Sequence, residues 1–218
     1  MTNVELARFN MVEQQVRPWD VLDSQVLELM EAMPREAFVP QAYQNVAYAD
    51  IDIPIGHGEV MLAPKYVGRM LQALNLQEGD VALEVGCGTG YVTALLAKTC
   101  REVYSVDIHQ AFVDTTAKNL ATLDITNITL ETGDAAQGWD AHGPYDAIFI
   151  TGSLPVLPEA FQKSLNRGGR LVAIVGDSPV MEAVLITRTG INEWSQETLF
   201  ETDIKHLENA IKPQRFVF

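Results

Sequence analysis

Apolar residues recur along this chain with two different periods, and the changes of period divide it into elements. Val4, Leu6, Phe9, Val12 and Val16 fall at helical intervals, so residues 4–16 are expected as an amphipathic helix. Arg17-Pro18 should end it, because the residue before a proline is pushed out of the helical region. A second helix through Val26, Leu27, Leu29 and Met30 takes Asp23 or Asp20 as its cap and stops at Pro34. Pro34-Arg-Glu-Ala-Phe-Val-Pro40 reads as a helical turn followed by extended chain, and these first forty residues carry no strand signal. From Tyr48 to Pro64 neither period holds. The stretch YADIDIPIGHGEVMLAP is expected as a loop, flexible at Gly56-His57-Gly58, and a loop this long inside a domain is often functional. His57 is therefore a candidate acid/base or ligand contact, with a solvated loop histidine as the plain alternative. Helical period returns over Lys65–Leu76 through Val67, Met70, Leu71 and Leu74, and Glu78-Gly-Asp80 turns out of it.

Strands and helices then alternate. Val81–Val85 is a short buried strand that meets three glycines at alternate positions, Gly86, Gly88 and Gly90. An apolar run of helical period follows, with Tyr91, Ala94, Leu95, Leu96 and Ala97. A strand over Arg101–Asp107, a helix over His109–Leu123 and a strand over Asn127–Glu131 come next. After them stand a strand over Tyr145–Thr151, a helix near Leu157–Leu165 and a strand over Arg170–Val175. Two last β-rich runs, Val180–Arg188 and Trp194–Glu201, have no helix between them and should pair antiparallel. The fold class is therefore α/β: a Rossmann-like, doubly wound, mostly parallel sheet with an antiparallel edge. Residues 1–50 form a helical extension and 51–218 the main domain, the whole being one compact unit. Ligands of such sheets bind beyond the C-terminal strand ends at the topological switch point. Gly86–Gly90, Asp107, Asp134 and Thr151–Ser153 all fall at such ends, which points to one shared site.

The glycine spacing narrows the ligand. A strand running through glycines into a helix N-terminus binds phosphates or nucleosides. The dinucleotide fingerprint G-x-G-x-x-G would need a third glycine at position 91, which is Tyr91, so a nicotinamide dehydrogenase is disfavoured. What stands here is E-x-G-x-G-x-G, the nucleoside-binding turn of S-adenosylmethionine-dependent methyltransferases. Asp107 closes the next strand about twenty residues on, where an acid can accept both ribose hydroxyls. It could also cap the helical run that starts at Ile108.

Charge and cysteine usage remove other classes. The formal charge of −14 argues against nucleic acid and anionic membranes, which require a cationic face. No apolar run reaches membrane-spanning length, and MTNVELARFNMVEQQVR lacks a secretory apolar core, so a cytoplasmic protein is expected. Cys87 and Cys100 show neither a disulfide framework nor metal-ligand spacing and read as buried thiols.

Together, MPREAFVP, AYADIDIPIGHGE, LEVGCGTGYVTALLA, VYSVD, TGDAAQGW, PYDAIFIT and the GGRLV strand make the chain resemble the protein-L-isoaspartate O-methyltransferase family over nearly its whole length. The resemblance implies a Rossmann-like methyltransferase fold, S-adenosyl-L-methionine as donor and S-adenosyl-L-homocysteine as product. It also implies esterification of an isoaspartyl carboxylate in a peptide or protein. By position, Glu84, Gly86, Cys87, Gly88 and Gly90 would surround the methionine and nucleoside end. Asp107 and Ile108 would meet the ribose, Asp134 and Ala135 the adenine, and Thr151 the neighbouring strand end. One departure stands out. The family's serine, two residues before the helix-opening proline, is replaced by Leu62, which leaves His57 or Ser153 as acceptor-facing polar groups. The run Thr151-Gly-Ser-Leu-Pro155 and the tail from Phe200 to Glu208 also differ from the family. An ionised carboxylate needs no general base, whereas a phenol or alcohol would need one from His57 or Glu59. The alternatives are a divergent methyltransferase for another peptide or a small acid, and a non-catalytic protein that binds the cofactor or a partner. A monomer is favoured.

Overall fold

The computed structural model describes residues 2–212. Thr2 and Glu5 form a reciprocal capping box that starts helix α1 (Asn3–Met11). The expected helix over 4–16 is α-helical only to Met11. A wider turn (Val12–Val16) and a tight turn (Arg17–Trp19) follow it and end on Asp20 in the left-handed region, φ 61°. Arg17 stays helical despite Pro18, because the proline sits at the opening of a new turn, where a missing N–H costs little. Asp23, not Asp20, caps helix α2 (Ser24–Ala32) by accepting the Gln25 amide at 2.8 Å.

The stretch read as a loop holds a hairpin, β1 (Ile53–Gly56) against β2 (Glu59–Met61). His57 and Gly58 link them at φ 52° and 74°, and positive φ at both turn residues matches the twist of the paired strands. Pro54 broke the alternation that would have announced β1; its missing donor is tolerated in this two-stranded ribbon.

The main sheet has seven strands, in the order β5 (Ile128–Thr132), β4 (Glu102–Asp107), β3 (Val81–Val85), β6 (Tyr145–Leu154), β7 (Leu165–Asp177), β8 (Val180–Arg188) and β9 (Trp194–Thr202). The first five are parallel, and β8 and β9 add antiparallel, as the two last apolar runs predict. Helix α3 (Pro64–Leu74) leads into β3, while α4 (Tyr91–Thr99), α5 (Gln110–Ala121) and the short α6 (Glu159–Lys163) connect β3 to β4, β4 to β5 and β6 to β7. Strands β6 and β7 overrun their expected ends at the expense of α6, with register shifts at both ends of their pairing. On β6, Ala147 and Phe149 pack into one core cluster, and Ile148 and Ile150 into another. That two-sided burial explains why the strand reads as an unbroken apolar run. Met11, Val16 and Met30 of the N-terminal segment share the first cluster with Val67, Met70, Leu95 and Phe149.

Beyond β9 the chain doubles back across the strand ends. Ser153 donates its amide to the Lys205 carbonyl (3.0 Å) and accepts the Leu207 amide (2.9 Å), so residues 204–207 lie alongside the end of β6. Residues 213–218 of the expected main domain lie outside the described residues. Among the described residues no helix is long and apolar enough to cross a membrane.

Candidate active site

The chain reverses its winding direction between β3 and β6, and a cleft open to solvent lies over the C-terminal ends of these strands. Gly86, Gly88, Asp107, Ile108, Asp134, Ala135, Thr151 and Leu62 all line it. The glycine turn supplies its floor. Gly86 holds φ 91°, and a Cβ built on it would lie 2.2 Å from Thr151 Oγ1. That hydroxyl sits 2.8 Å from the Val85 carbonyl and 2.7 Å from the Gly86 carbonyl, tying β6 to the turn. Gly90, also at φ 91°, opens α4 against Thr116 and does not line the cleft.

Asp107 is 7% exposed, and its two oxygens accept the Gly88 amide (3.0 Å) and the His109 amide (2.9 Å). The helix expected from Ile108 begins at Gln110, with His109 as its N-cap. Asp107 thus braces the turn before α5 rather than capping the helix directly. Asp134 accepts the Ala136 amide at 3.0 Å on one oxygen and the Asn209 side chain at 2.9 Å on the other. Both acids are ordered by backbone amides within the free protein.

Glu84 lies wholly inside the protein on β3. Thr93 and Ser105 donate to its Oε2 at 2.5 and 2.6 Å, while Oε1 has no partner among the described residues. Burial pushes the carboxyl up to about 7, against the downward pull of the two hydroxyls. Glu84 lines a smaller inner cavity with Cys87 and Tyr91, and this cavity shares Leu62, Gly86, Gly88 and Thr151 with the main cleft. Cys87 is buried, and burial raises its thiol, reinforced by the Asp107 and Glu84 carboxylates; it is a packing group, not a nucleophile.

The three acceptor-side candidates separate. Leu62 lines both the cleft and the inner cavity. Ser153 is fully buried, does not line the cleft, and its hydroxyl is engaged by the Ile204 carbonyl (2.9 Å) and His206 Nδ1 (2.8 Å). His57 sits exposed at the hairpin turn, stacked on His109 with ring centroids 4.3 Å apart, and faces a separate outer groove with Phe38 and Pro40. The tail supplies residues that sequence reasoning missed. Ile204 to Glu208 line the cleft, Lys205 pairs with Glu59 and bonds the Gly58 carbonyl, and Glu208 meets His109 at 3.1 Å. No motif marks this tail; only its return across β6 brings it there.

A family model described as protein-L-isoaspartate(D-aspartate) O-methyltransferase matches residues 8–203. The chain belongs to that family. Among its relatives is protein-L-isoaspartate O-methyltransferase 1 of Rhodopseudomonas palustris (strain HaA2), 39% identical over 91% of this chain and 81% of that one. The protein-L-isoaspartate O-methyltransferase of Methylorubrum extorquens is 40% identical over 84% of this chain and 80% of that one. The fold is shared with a Plasmodium falciparum candidate protein-L-isoaspartate O-methyltransferase solved in complex with S-adenosyl-L-homocysteine. The TM-score is 0.79 at 21% identity, covering 95% of this chain and 99% of that one. The family match stops just before the cleft-lining residues 204–208, so that wall of the site is not part of the family's matched segment.

Proposed function

We propose that this chain is an S-adenosylmethionine-dependent carboxyl methyltransferase that esterifies an isoaspartyl residue in a peptide or protein. One observation carries the reading. In a chain of this family, the glycine turn, Asp107, Asp134 and Leu62 meet in a single cleft at the switch point of a doubly wound sheet. The residues fit the cofactor. Glycines at 86 and 88 keep the floor bare of side chains, Asp107 and Asp134 present carboxylates to the cleft, and Glu84, which lines the inner cavity, keeps a buried oxygen unpartnered among the described residues. Gly86, Gly88 and Asp107 with Ile108 are assigned to the nucleoside, Asp134 and Ala135 to the adenine edge, and Glu84 to the methionine ammonium. Cys87, Gly90 and Thr151 shape the turn around them.

The bound cofactor supplies a sulfonium methyl group. The protein's share is alignment and exclusion of water, since an ionised carboxylate attacks in line without a base. The burial of Ser153 and the placement of His57 outside the cleft take both away from the acceptor, and Glu59, which lines the cleft, is paired with Lys205. We read residues 1–50 as an extension folded onto 51–218, and the protein as a cytoplasmic monomer that binds neither nucleic acid nor membranes.

Glu84 gives the site a pH signature. Its carboxyl titrates near 7 when buried and near 4.5 when unfolded, so the free protein loses stability as pH rises from about 4.5 to 7. The loss amounts to about 3 kcal/mol at about 1.4 kcal/mol per pH unit. A positively charged methionine end favours the ionised form, so affinity for S-adenosylhomocysteine should rise with pH up to about 7 and level off above it. Calorimetry on wild type and Glu84→Gln tests this: the variant should bind about tenfold more weakly and lose the pH dependence. Wild-type affinity that stays flat from pH 6 to 8 would refute the ammonium assignment.

Leu62 offers no hydroxyl where the family carries serine. A neutral hydrogen bond contributes about 0.5–1.5 kcal/mol, so Leu62→Ser should raise turnover on isoaspartyl peptide roughly 2- to 13-fold. If wild type is already fully active and Leu62→Ser is no faster, Leu62 does not limit the chemistry.

A further inference from the structure

Arg35, in the MPREAFVP stretch, is completely buried and yet makes no ion pair among the described residues. Its Nε donates to the Ala47 carbonyl at 2.9 Å and its Nη2 to the Leu62 carbonyl at 2.8 Å, while the guanidinium carbon lies 4.8 Å from the centre of the Tyr91 ring. Asp52, in the hairpin approach, accepts the Ala63 amide at 2.8 Å. The Leu62 carbonyl and the Ala63 amide are the two polar atoms of one peptide group. A charged donor and a charged acceptor from different segments therefore grip the same peptide plane from its two ends. Taking a guanidinium out of water is costly, and an apolar side chain would usually stabilise such a position as well or better. What an apolar residue cannot do is fix the orientation of that plane, and with it the direction in which the Leu62 side chain leaves the backbone. Leu62 lines both the main cleft and the inner cavity, where donor and acceptor would meet.

We propose that Arg35 and Asp52 are positioning residues for methyl transfer, clamping the Leu62–Ala63 peptide so that residue 62 is held at a fixed angle at the junction of the two cavities. The clamp couples the N-terminal extension to the site: Arg35 ties the 34–47 region to residue 62 and packs against Tyr91, the first residue of the helix that follows the glycine turn. This inference rests on the proposed function for its catalytic consequence, but the clamp has a signature of its own.

The test compares Arg35→Met, Asp52→Ala and Asp52→Asn with wild type. Arg35→Met keeps bulk without donors, Asp52→Ala removes the acceptor, and Asp52→Asn keeps a carbonyl oxygen for the Ala63 amide. The first two should lower kcat on isoaspartyl peptide about tenfold or more, with S-adenosylhomocysteine affinity within about twofold of wild type. Asp52→Asn should retain most of kcat. The Arg35→Met/Asp52→Ala double variant should be little worse than the weaker single, because both act on one peptide group. Amide hydrogen exchange at Ala63, read without any acceptor, should quicken about tenfold or more in Arg35→Met and Asp52→Ala. Wild-type kcat in variants that bind cofactor normally would overturn the positioning role, as would a loss in Asp52→Asn as deep as in Asp52→Ala. Parallel losses of kcat and cofactor binding would reduce the pair to a structural role and overturn it too. If Arg35→Met does not fold, the two Asp52 variants carry the test. Quickened exchange beside a wild type inert towards isoaspartyl peptide would overturn the proposed function and leave the clamp standing.

Discussion

Gly86→Ala is expected to abolish measurable cofactor binding and to lower stability by about 3 kcal/mol. Two costs combine. A side chain at φ 91° is strained by about 1–2 kcal/mol, and the new Cβ would lie 2.2 Å from Thr151 Oγ1, well inside contact distance. Relief requires either the turn or β6 to move, and overpacking of this kind costs about 1–3 kcal/mol. For a chain of this size, about 3 kcal/mol corresponds to a fall of about 6–12 °C in Tm. Movement at this point widens the junction that forms the cleft floor, so binding should suffer more than stability. Gly79→Ala is the control. Among the described residues nothing lies within 4 Å of a Cβ there and its φ is not positive, so Tm and binding should stay near wild type. Gly86→Ala/Thr151→Ala should regain the overpacking part of the loss but not the backbone part. Unaltered binding and Tm in Gly86→Ala would contradict the close approach of turn and strand.

Asp107→Ala should weaken S-adenosylhomocysteine binding at least tenfold and lower stability by about 3 kcal/mol. Hydrogen bonds to a charged acceptor contribute about 1.5–3 kcal/mol each, and Asp107 holds two amides, those of Gly88 and His109, before any ligand arrives. Its loss therefore loosens the glycine turn and the start of α5 as well as removing the ribose partner. Calorimetry with S-adenosylhomocysteine and its ribose-deoxy analogues separates the two effects. If Asp107 contacts the ribose, deleting a hydroxyl weakens binding to wild type but changes little in Asp107→Ala. If Asp107 only braces the turn, the deoxy penalty is the same in both proteins. Unchanged affinity in a folded variant would remove Asp107 from the site.

These expectations rest on residues that a reader of the sequence could largely find. The strand–glycine–helix stretch is legible because its strand is buried on both faces and its turn needs positive φ, so composition and backbone conformation point the same way. Asp107 and Asp134 are legible because a doubly wound sheet puts the ends of its parallel strands in one place. The hairpin was not legible, since Pro54 and two glycines erased its alternation and only pairing with β2 makes β1 a strand. Neither was the tail. Ile204 to Glu208 have no period or motif, and their position depends on Ser153, some fifty residues earlier in the chain. The roles expected of Ser153 and His57 met the same obstacle. Sequence places both near strand ends or in a loop, but not on a side of the backbone. The tail buries one, and the hairpin twist turns the other outward. Arg35 sat inside a recognised motif, yet its partners at Ala47 and Leu62 are visible only once the extension has folded onto the hairpin.

Isotope-labelled methyl transfer from S-adenosylmethionine to a peptide carrying one isoaspartyl residue, run beside its normal aspartyl twin, tests the central claim most directly. The account predicts base-labile methyl ester on the isoaspartyl peptide alone, with turnover that Leu62→Ser increases and Asp107→Ala removes at limiting cofactor. Equal labelling of the two peptides would contradict it, and so would no labelling of either by a protein that binds S-adenosylhomocysteine.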